Sequence, residues 1–298
     1  MKLCLGTVQF GMDYGVRGQK KPSLADAMEM LDYALHNGAD AIDTANAYGE
    51  AEAVVGAYFE KNPAMRQATH VISKFSPDLL ANAAPEQYYS IMKARLEETL
   101  QRLHTDYLDG CLLHNSRSVY DDAIIAALAR LRSEGAVKNI GVSIYECEEA
   151  TTGIERGDLD FLQLPYSILD QRMLHGGVFR LAQERKVTLH SRSVFIQGLV
   201  LMDEEELPPF LQEAGRPVLR QLDELCRKTG LSRMELAMGF VKSQEAISHL
   251  VFGVDNLPQL KEFIDIFDRD LPGEVVEEAT RLFAGVDPYL VMPNRWKR

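Results

Sequence analysis

The sequence predicts a (β/α)8 barrel formed by a single domain, residues 1–298. Eight strand-like runs occur along the chain, and a helix-like stretch follows each of them. Several of the runs are continuously apolar, which is typical of parallel strands that are covered on both faces. No linker rich in Pro, Gly or Ser divides the chain, and eight strand–helix repeats are more than a sandwich or a helical bundle would show.

The strand-like runs are short and separated by helical stretches, as expected of βα units. The first run, KLCLGT, begins at the second residue, and the last one, SHLVFGV, ends about 45 residues before the C-terminus. Strands are predicted at residues 2–7, 39–43, 70–74, 107–114, 137–143, 160–164, 186–192 and 248–254.

The stretches between the strands have helical periodicity. In the first of them, Leu24 and Leu31 belong to one apolar stripe. Ser23 and Asp26 form a capping pair at the start of this helix, and Gly38 ends it. Further helices are predicted at residues 85–103, 119–134, 174–185 and 256–268.

The longest connection lies between the seventh and the eighth predicted strands. It contains an acidic insert with several prolines, at about residues 195–216, and then two helical stretches. A loop of this length inside a compact domain is more often a functional lid than a simple connection. A solvated insertion without a function is the alternative interpretation.

Composition and charge exclude several classes of function. With 46% hydrophobic and 26% charged residues, the chain is a globular protein and not a collagen-like or disordered one. There are 32 Lys and Arg against 44 Asp and Glu, a net charge of −12. A field of this sign repels phosphate backbones and anionic membranes, so we expect neither a nucleic-acid partner nor a membrane.

The start of the chain and the cysteines indicate the compartment. The first apolar stretch is interrupted by Gly6 and Gln9, unlike a signal peptide, and no run approaches the roughly 18 apolar residues of a membrane span. The cysteines are far apart and form no CxxC pair, so we expect reduced thiols, no metal site and a cytoplasmic location. They are Cys4, Cys111, Cys147 and Cys226.

Polar side chains recur where the predicted strands end, which is where barrels of this kind build their sites. Asp43, Lys74 and His114 end the second, third and fourth strands, and Tyr48 follows Asp43 by five residues. Singly, each has a structural explanation, such as a helix cap or a core histidine. Together on one face they predict an active site. The later strands contribute Ser143, Gln163, Arg192 and Ser193.

The four residue types Tyr, Lys, Asp and His suit one kind of chemistry. A tyrosine, with an ordinary pKa of about 10, is protonated at neutral pH and can donate to a developing alkoxide. A nearby lysine stabilises the tyrosinate, and a carboxylate keeps a buried lysine charged. A histidine can orient the carbonyl oxygen. The set therefore predicts carbonyl–alcohol interconversion, whereas hydrolysis fits poorly because neither a nucleophile elbow nor metal-ligand spacing is present.

With these residues in place, the sequence resembles the aldo-keto reductases. The matching segments follow the order of that family and extend over nearly the whole chain. They are LGTVQFG near the start, DTANAYGEAEAVVG at 43–56, SK at 73–74, LLH at 112–114, GVS at 141–143 and FLQLPYSILDQR at 161–172.

The resemblance implies reduction of an aldehyde or ketone with NADPH or NADH. Tyr48 would be the general acid, Lys74 the partner that lowers its pKa, and Asp43 the counter-ion of the lysine. His114 would orient the substrate carbonyl. The cofactor-binding positions that the resemblance implies are Thr7, Asp43, Ser143, Gln163, Arg192, Ser193, Gln197, Gly253, Asp255, Gln259 and Glu262.

Four positions depart from the pattern of the family. Ile144 stands where Asn is usual after GVS, and Arg192 where an aromatic residue often stacks on the nicotinamide. A guanidinium can stack there instead, or bind an acidic group of the substrate. Phe263 stands where Asn is expected. Asp255 would repel a 2′-phosphate and accept a bond from a free 2′-hydroxyl, so we expect NADH to be tolerated at least as well as NADPH.

The sequence leaves more than one possibility open for the substrate and for the type of reaction. Arginines such as Arg17, Arg172 and Arg192 near the predicted active-face loops favour a small polar carbonyl, and RSVFIQGL resembles family members associated with carbohydrates, so a sugar-type carbonyl is the candidate substrate. A non-catalytic subunit that senses nicotinamide nucleotides is one alternative function. An epimerase or isomerase that retains NAD(P) is the other.

Overall fold

Eight parallel strands follow one another in chain order around a closed barrel, which confirms the predicted (β/α)8 fold. This computed structural model describes residues 1–297. The first strand also pairs with the last, and barrel closure removes the open edges of a sheet. The strands are β1 (Lys2–Gly6), β2 (Ala39–Asp43), β3 (His70–Phe75), β4 (Leu108–Leu113), β5 (Val137–Ser143), β6 (Phe161–Pro165), β7 (Thr188–Arg192) and β8 (Ile247–Phe252).

Within the described residues, ten longer helices surround or follow the strands. They are α1 (Leu24–His36), α2 (Ala51–Lys61), α3 (Tyr88–Arg102), α4 (Asp122–Ser133), α5 (Cys147–Arg156), α6 (Val178–Arg185), α7 (Gln212–Thr229), α8 (Arg233–Lys242), α9 (Leu257–Phe267) and α10 (Gly273–Phe283). Short helical turns occur at Val8–Gly11, Pro63–Ala68, Arg172–His175 and Pro288–Val291. The predicted cap of α1 is present, since Ser23 Oγ accepts the Asp26 N–H at 3.2 Å.

Two predicted helices begin later than their apolar pattern suggested. The helix predicted at 119–134 begins at Asp122, because the Asp121 side chain accepts the N–H groups of Ala123 and Ile124 and caps it. The helix predicted at 174–185 is divided, because Gly177 has a φ of +71° and ends one short turn before α6 begins. Periodicity alone does not reveal such local breaks.

The apolar core has two layers. Inside the barrel, side chains from six strands form a small cluster: Cys4, Ala41, Ile72, Leu112, Phe161 and Val251. The larger cluster lies between the strands and the surrounding helices. Because side chains fill the barrel interior, we expect a ligand to bind at the C-terminal end of the barrel, as in other barrels of this type.

The connection between β7 and β8 is more ordered than the insert predicted at about 195–216. Three short 3-10 turns precede α7, and α7 begins at Gln212, so that Pro217 lies within a helix. The irregular part is therefore shorter than predicted. It contacts the loop after β1: Val16 N–H donates to Gln197 O at 3.0 Å, and Arg17 forms an ion pair with Glu206.

Candidate active site

A cavity of about 340 Å³ opens at the C-terminal end of the barrel. Its walls come from strand ends and from the loops after β1, β2, β7 and β8, and its volume lies in the range of small-molecule sites. We call it the main cavity. Among the residues predicted from the sequence, it is lined by Thr7, Asp43, Tyr48, His114, Gln163, Arg192, Ser193, Gln197, Gly253, Asp255 and Gln259.

Two glycines place the loop that carries Tyr48. A Cβ on Gly11 would lie 1.7 Å from Tyr48 O, and one on Gly49 would lie 2.4 Å from Gly11 O, so only glycines allow these backbones to touch. Gly49 also has a φ of +56°, in the region that favours glycine. Gly11 of LGTVQFG and Gly49 of AYG therefore pack the loop after β2 against the loop after β1. This packing fixes the backbone position of Tyr48.

Lys74 joins Asp43 and Tyr48 at the base of the main cavity. Its ammonium group forms an ion pair with Asp43 Oδ1 and donates to Thr44 O at 3.2 Å and to Tyr48 Oη at 3.3 Å. The side chains of Lys74 and Asp43 are 0% and 4% exposed. The three residues that the sequence predicted to act together are therefore in contact, and the charges of the lysine and the carboxylate compensate each other away from water.

Two opposing effects set the pKa of Tyr48. Burial raises the pKa of the tyrosine above its ordinary value, while the positive charge of Lys74 acts in the opposite direction. The lysine thus has the predicted influence, but desolvation of the phenolate outweighs it. Burial has the largest single effect on Lys74 and lowers its pKa, but the charges and hydrogen bonds of Asp43 and Tyr48 together outweigh burial and leave that pKa raised. Both shifts favour a neutral Tyr48 phenol beside a charged Lys74.

His114 follows β4 and faces Tyr48. The two rings meet edge to face, with centroids 5.8 Å apart. Burial, together with the charges of Lys74 and Arg192, lowers the pKa of His114 to about 3. Its Nδ1 is buried and has no hydrogen-bond partner within residues 1–297. A neutral imidazole at this place can orient a carbonyl oxygen by a hydrogen bond, but it does not supply a cationic acid.

These pKa directions predict the pH dependence of the carbonyl reduction that the resemblance implies. The neutral form of His114 is present above about pH 3, and the protonated form of Tyr48 is present below a pKa that is higher than its ordinary value. We therefore expect kcat for reduction to stay constant between about pH 5 and pH 9, measured with saturating substrate and cofactor. An inflection at about pH 6.5, the ordinary pKa of histidine, would show that His114 titrates during the reaction.

Ser143 and Gln163 lie side by side at the ends of β5 and β6, where they are partners in the strand register. Ser143 Oγ is buried and lacks a hydrogen-bond partner within the described residues, and Gln163 Nε2 donates to Asp43 Oδ2 at 2.7 Å. Ile144, at the position of the usual Asn, is buried, and its side chain offers only apolar contact. A hydroxyl with spare capacity beside an amide fits a carboxamide, the polar group of a nicotinamide.

The backbone after β7 is strained. Ser193, Ile196 and Gln197 have φ values of +65°, +49° and +57°, and Gly198 follows at +94°. Left-handed conformations are uncommon outside glycine, above all for a β-branched residue, and clusters of them are typical of ligand clamps. Ser193 and Gln197 line the main cavity on this segment.

Arg192 is held at the end of β7, and no carboxylate within residues 1–297 forms an ion pair with it. Its guanidinium lies 4.4 Å from the centre of the Tyr145 ring and donates to Ile144 O at 2.9 Å and to Ser193 Oγ at 3.1 Å. The other two arginines cited for a polar substrate are engaged differently: Arg17 pairs with Glu206, and Arg172 with Asp170 at 2.8 Å. Of the three, only Arg192 lines the main cavity.

The far end of the main cavity is formed by the loop after β8. Gln259 Oε1 accepts the Asp255 N–H at 2.7 Å and shapes this loop. Burial raises the pKa of Asp255, against the charge of Arg17. Glu262 is exposed on α9 and is not part of the cavity wall, and Phe263 is buried, stacked on Phe252 with ring centroids 3.9 Å apart.

Three residues near the site were missed from the sequence. Glu52 is buried and accepts bonds from Asn46 Nδ2 at 2.9 Å and from Ser73 Oγ at 2.7 Å, which ties the Tyr48 loop to β3. Tyr14 and Tyr145 line the main cavity. The DTANAYGEAE segment contains Glu52 and was a signal for it, whereas no local pattern distinguishes the two tyrosines.

Comparison with known families identifies the chain. The sequence model of the aldo/keto reductase family matches residues 2–283 of this chain. The protein is an aldo/keto reductase family member. The resemblance inferred from the motifs is thereby confirmed over nearly the whole chain.

Relatives of this aldo/keto reductase include proteins named as oxidoreductases. It is 25% identical to the uncharacterized oxidoreductase YrpG of Bacillus subtilis (strain 168), over 95% of this chain and 92% of that protein. It is 24% identical to the NADH-specific methylglyoxal reductase of Escherichia coli (strain K12), over 76% and 77% of the two chains. It is also 24% identical to D-arabinose 1-dehydrogenase of Saccharomyces cerevisiae, over 83% and 78%.

The fold is shared with solved structures. The aldo-keto reductase AKR11C1 from Bacillus halodurans, in its holo form, superposes with a TM-score of 0.78 at 22% identity and covers 99% of this chain and 95% of its own. No helix within residues 1–297 is long and apolar enough to cross a membrane. In the same residues, no group of three or more His, Cys, Asp or Glu side chains is arranged to hold a metal ion.

Proposed function

We propose that this aldo/keto reductase reduces an aldehyde or ketone to an alcohol with NADPH or NADH, with Tyr48 as the general acid. The observation that carries the proposal is the buried contact of Lys74 with both Asp43 and Tyr48 Oη, at the base of a cavity that His114 also lines. The arrangement holds a proton on Tyr48 next to a cation, where a carbonyl oxygen becomes an alkoxide.

The proton transfer follows from these contacts. Tyr48 Oη donates its proton to the carbonyl oxygen as negative charge develops there, and the resulting tyrosinate is stabilised by Lys74 at 3.3 Å. Asp43 keeps the lysine oriented through their ion pair. Neutral His114 contributes a hydrogen bond that orients the carbonyl. Tyr48 recovers its proton from solvent through the open side of the main cavity.

The residues that line the main cavity, together with Ser143 beside Gln163, fit a nicotinamide cofactor, which when bound supplies the hydride for the carbonyl carbon. Ser143 and Gln163 would hold its carboxamide, and Arg192 would lie against the ring on its Tyr145 support. Ser193 and Gln197, on the strained segment, and Gly253, Asp255 and Gln259 would hold the remainder. Thr7 and Asp43 complete this set. Glu262 is exposed and lies outside the cavity wall, so the structure does not support its predicted contact with the cofactor.

We propose that NADH binds at least as tightly as NADPH, because a half-buried Asp255 carboxylate opposes a 2′-phosphate. Fluorescence titrations of both cofactors under equal conditions measure this preference. Asp255→Asn is expected to lower the Kd of NADPH by about tenfold, or about 1.4 kcal/mol, and that of NADH by much less. Asp265→Asn, the same charge change on the exposed face of α9, is the control. NADPH binding tenfold more tightly than NADH in the unmodified protein would contradict the proposal.

The experiment that tests the function is a screen of aldehydes, ketones and reducing sugars with NADH and NADPH, followed at the nicotinamide absorbance. Net oxidation of either cofactor supports a reductase. Conversion of substrate without net cofactor consumption, with a cofactor that co-purifies, would instead indicate an epimerase or isomerase. Cofactor binding without any conversion would indicate a nucleotide sensor. The sugar-type substrate and the cytoplasmic location stay predictions.

A further inference from the structure

A positive charge without a counter-ion lies at the reacting end of the main cavity. Lys74 and Asp43 form a buried ion pair, so their charges offset each other. Burial, with the charges of Lys74 and Arg192, lowers the pKa of His114 to about 3, so its ring is neutral at physiological pH. A guanidinium stays protonated at any working pH. This end of the cavity therefore retains the charge of Arg192.

The contacts of Arg192 orient its guanidinium without neutralising it. The group donates to Ile144 O at 2.9 Å and to Ser193 Oγ at 3.1 Å, and it lies 4.4 Å from the centre of the Tyr145 ring. A carbonyl, a hydroxyl and an aromatic face are all uncharged partners. Because Arg192 also lines the main cavity, its charge acts on whatever that cavity binds.

The guanidinium lies beside the place assigned to the nicotinamide. Its partner Ile144 follows directly after Ser143, and Ser143 is the register partner of Gln163. These last two residues are the ones proposed to hold the carboxamide. The charge of Arg192 also reaches the proton donor, since it acts against the burial that raises the pKa of Tyr48. A ring with its carboxamide at Ser143 and its reactive carbon toward Tyr48 would therefore lie against Arg192.

The two redox states of a nicotinamide differ in the charge of the ring. The oxidised ring is a pyridinium cation, whereas the reduced ring is neutral. The diphosphate and the adenosine are the same in both states, so Arg192 attracts them equally. A fixed cation against the ring opposes the pyridinium, while a planar guanidinium stacks on a neutral ring without this repulsion.

We propose that Arg192 makes the protein select the reduced cofactor, because its guanidinium opposes the positive charge of the oxidised ring. The inference rests on the proposed function, since it places the nicotinamide at Ser143 and Gln163. It deepens that function by naming the redox state that the site prefers. In a mixed pool the protein binds the reduced cofactor and releases the oxidised one, which suits a reductase rather than an alcohol dehydrogenase.

The selection applies to complexes of the protein with the cofactor alone. During reduction Tyr48 gives up its proton while the ring gains positive charge, and Arg192 attracts the first group as it repels the second. The two effects on the reaction oppose each other. Cofactor binding, and not turnover, therefore reports the selection directly.

Isothermal titration calorimetry of nucleotide-free protein with NADH, NAD+ and ADP-ribose tests the proposal. ADP-ribose has the diphosphate and the adenosine but no nicotinamide ring, so it reports the contacts that both redox states share. We expect the Kd of NAD+ to exceed that of NADH by at least about tenfold, and the same order for NADP+ and NADPH. Equal affinity for the two redox states, or tighter binding of the oxidised one, would overturn the proposal.

Variants of Arg192 provide the second test. Arg192→Met removes the charge and keeps an unbranched side chain, so the ratio of the Kd of NAD+ to that of NADH should fall by about tenfold. Arg192→Lys keeps the charge and should retain most of the ratio. A lost attraction for the diphosphate changes the Kd of ADP-ribose as well and cancels in the ratio. Arg180→Met, the same change at an exposed position on α6, is the control and should leave the ratio within about twofold.

The outcomes separate this inference from the function beneath it. If no nicotinamide nucleotide binds in either redox state, the proposed function fails and the selection with it. If both states bind and Arg192→Met leaves their ratio unchanged, the selection fails and the reductase stands. An equal fall of the ratio in Arg192→Met and Arg180→Met would also overturn the selection, because the net charge of the protein would then account for it.

Discussion

Replacing Tyr48 with Phe is expected to lower kcat for carbonyl reduction by about 10²- to 10⁴-fold, the usual contribution of a positioned general acid. The substitution removes the one hydroxyl that contacts Lys74 Nζ and leaves the ring that meets His114. Stopped-flow single turnovers with a reactive aldehyde measure the loss. The Kd of the cofactor should change by less than about twofold, since the assigned cofactor contacts lie elsewhere.

Tyr14→Phe is the matched control for this variant. Tyr14 also lines the main cavity, and burial raises the pKa of its hydroxyl to about 12. This hydroxyl forms a hydrogen bond with Gln197. Loss of its hydroxyl should reduce kcat by less than about fivefold. Unchanged turnover in Tyr48→Phe, or a larger loss in Tyr14→Phe, would show that the acid has been assigned to the wrong residue.

Replacing Lys74 with Met is expected to affect stability and activity together. The substitution leaves the Asp43 carboxylate, which is 4% exposed, without its cation. An uncompensated buried charge costs about 3–5 kcal/mol of the free energy of unfolding, measured by urea denaturation. Turnover should fall by at least about 10²-fold, because the tyrosinate formed during the reaction loses its stabilising charge.

The double variant Lys74→Met/Asp43→Asn separates these two effects. Removal of both charges should restore most of the stability, because neither partner of this pair is left as an uncompensated buried charge, while turnover stays low. Lys228→Met is the control for the loss of an ion pair at the surface. Lys228 is 66% exposed and pairs with Glu278 at 2.7 Å, so its loss should cost less than about 1 kcal/mol. Recovery of turnover in the double variant would exclude the proposed role of Lys74.

Much of the barrel can be predicted from local sequence. All eight strands lie within two residues of their predicted bounds, because buried parallel strands are continuous apolar runs between turn residues. Helix caps that are predicted from the sequence, such as Ser23 with Asp26, are present in the structure. The errors occur at Asp121 and Gly177, where a cap and a left-handed glycine override helical periodicity.

The candidate site was likewise predicted in part from the sequence. Asp43, Tyr48, Lys74 and His114 were predicted because strand ends of a parallel barrel meet at one rim, so topology alone brings them together. Glu52 and the two additional tyrosines were not singled out, because their roles depend on contacts between distant segments. Glu262 has the residue type expected of a ligand position, yet the orientation of α9 leaves it exposed.

The barrel, its family and the order of its polar strand ends are therefore properties of the sequence, since periodicity, turn residues and motif spacing involve neighbours along the chain. The net pKa of Tyr48, the neutral state of His114 and the main cavity were decided only by the tertiary structure. Desolvation depends on every group packed around an atom, and a cavity is the space that separate loops fail to fill. Neither quantity is encoded by any short segment.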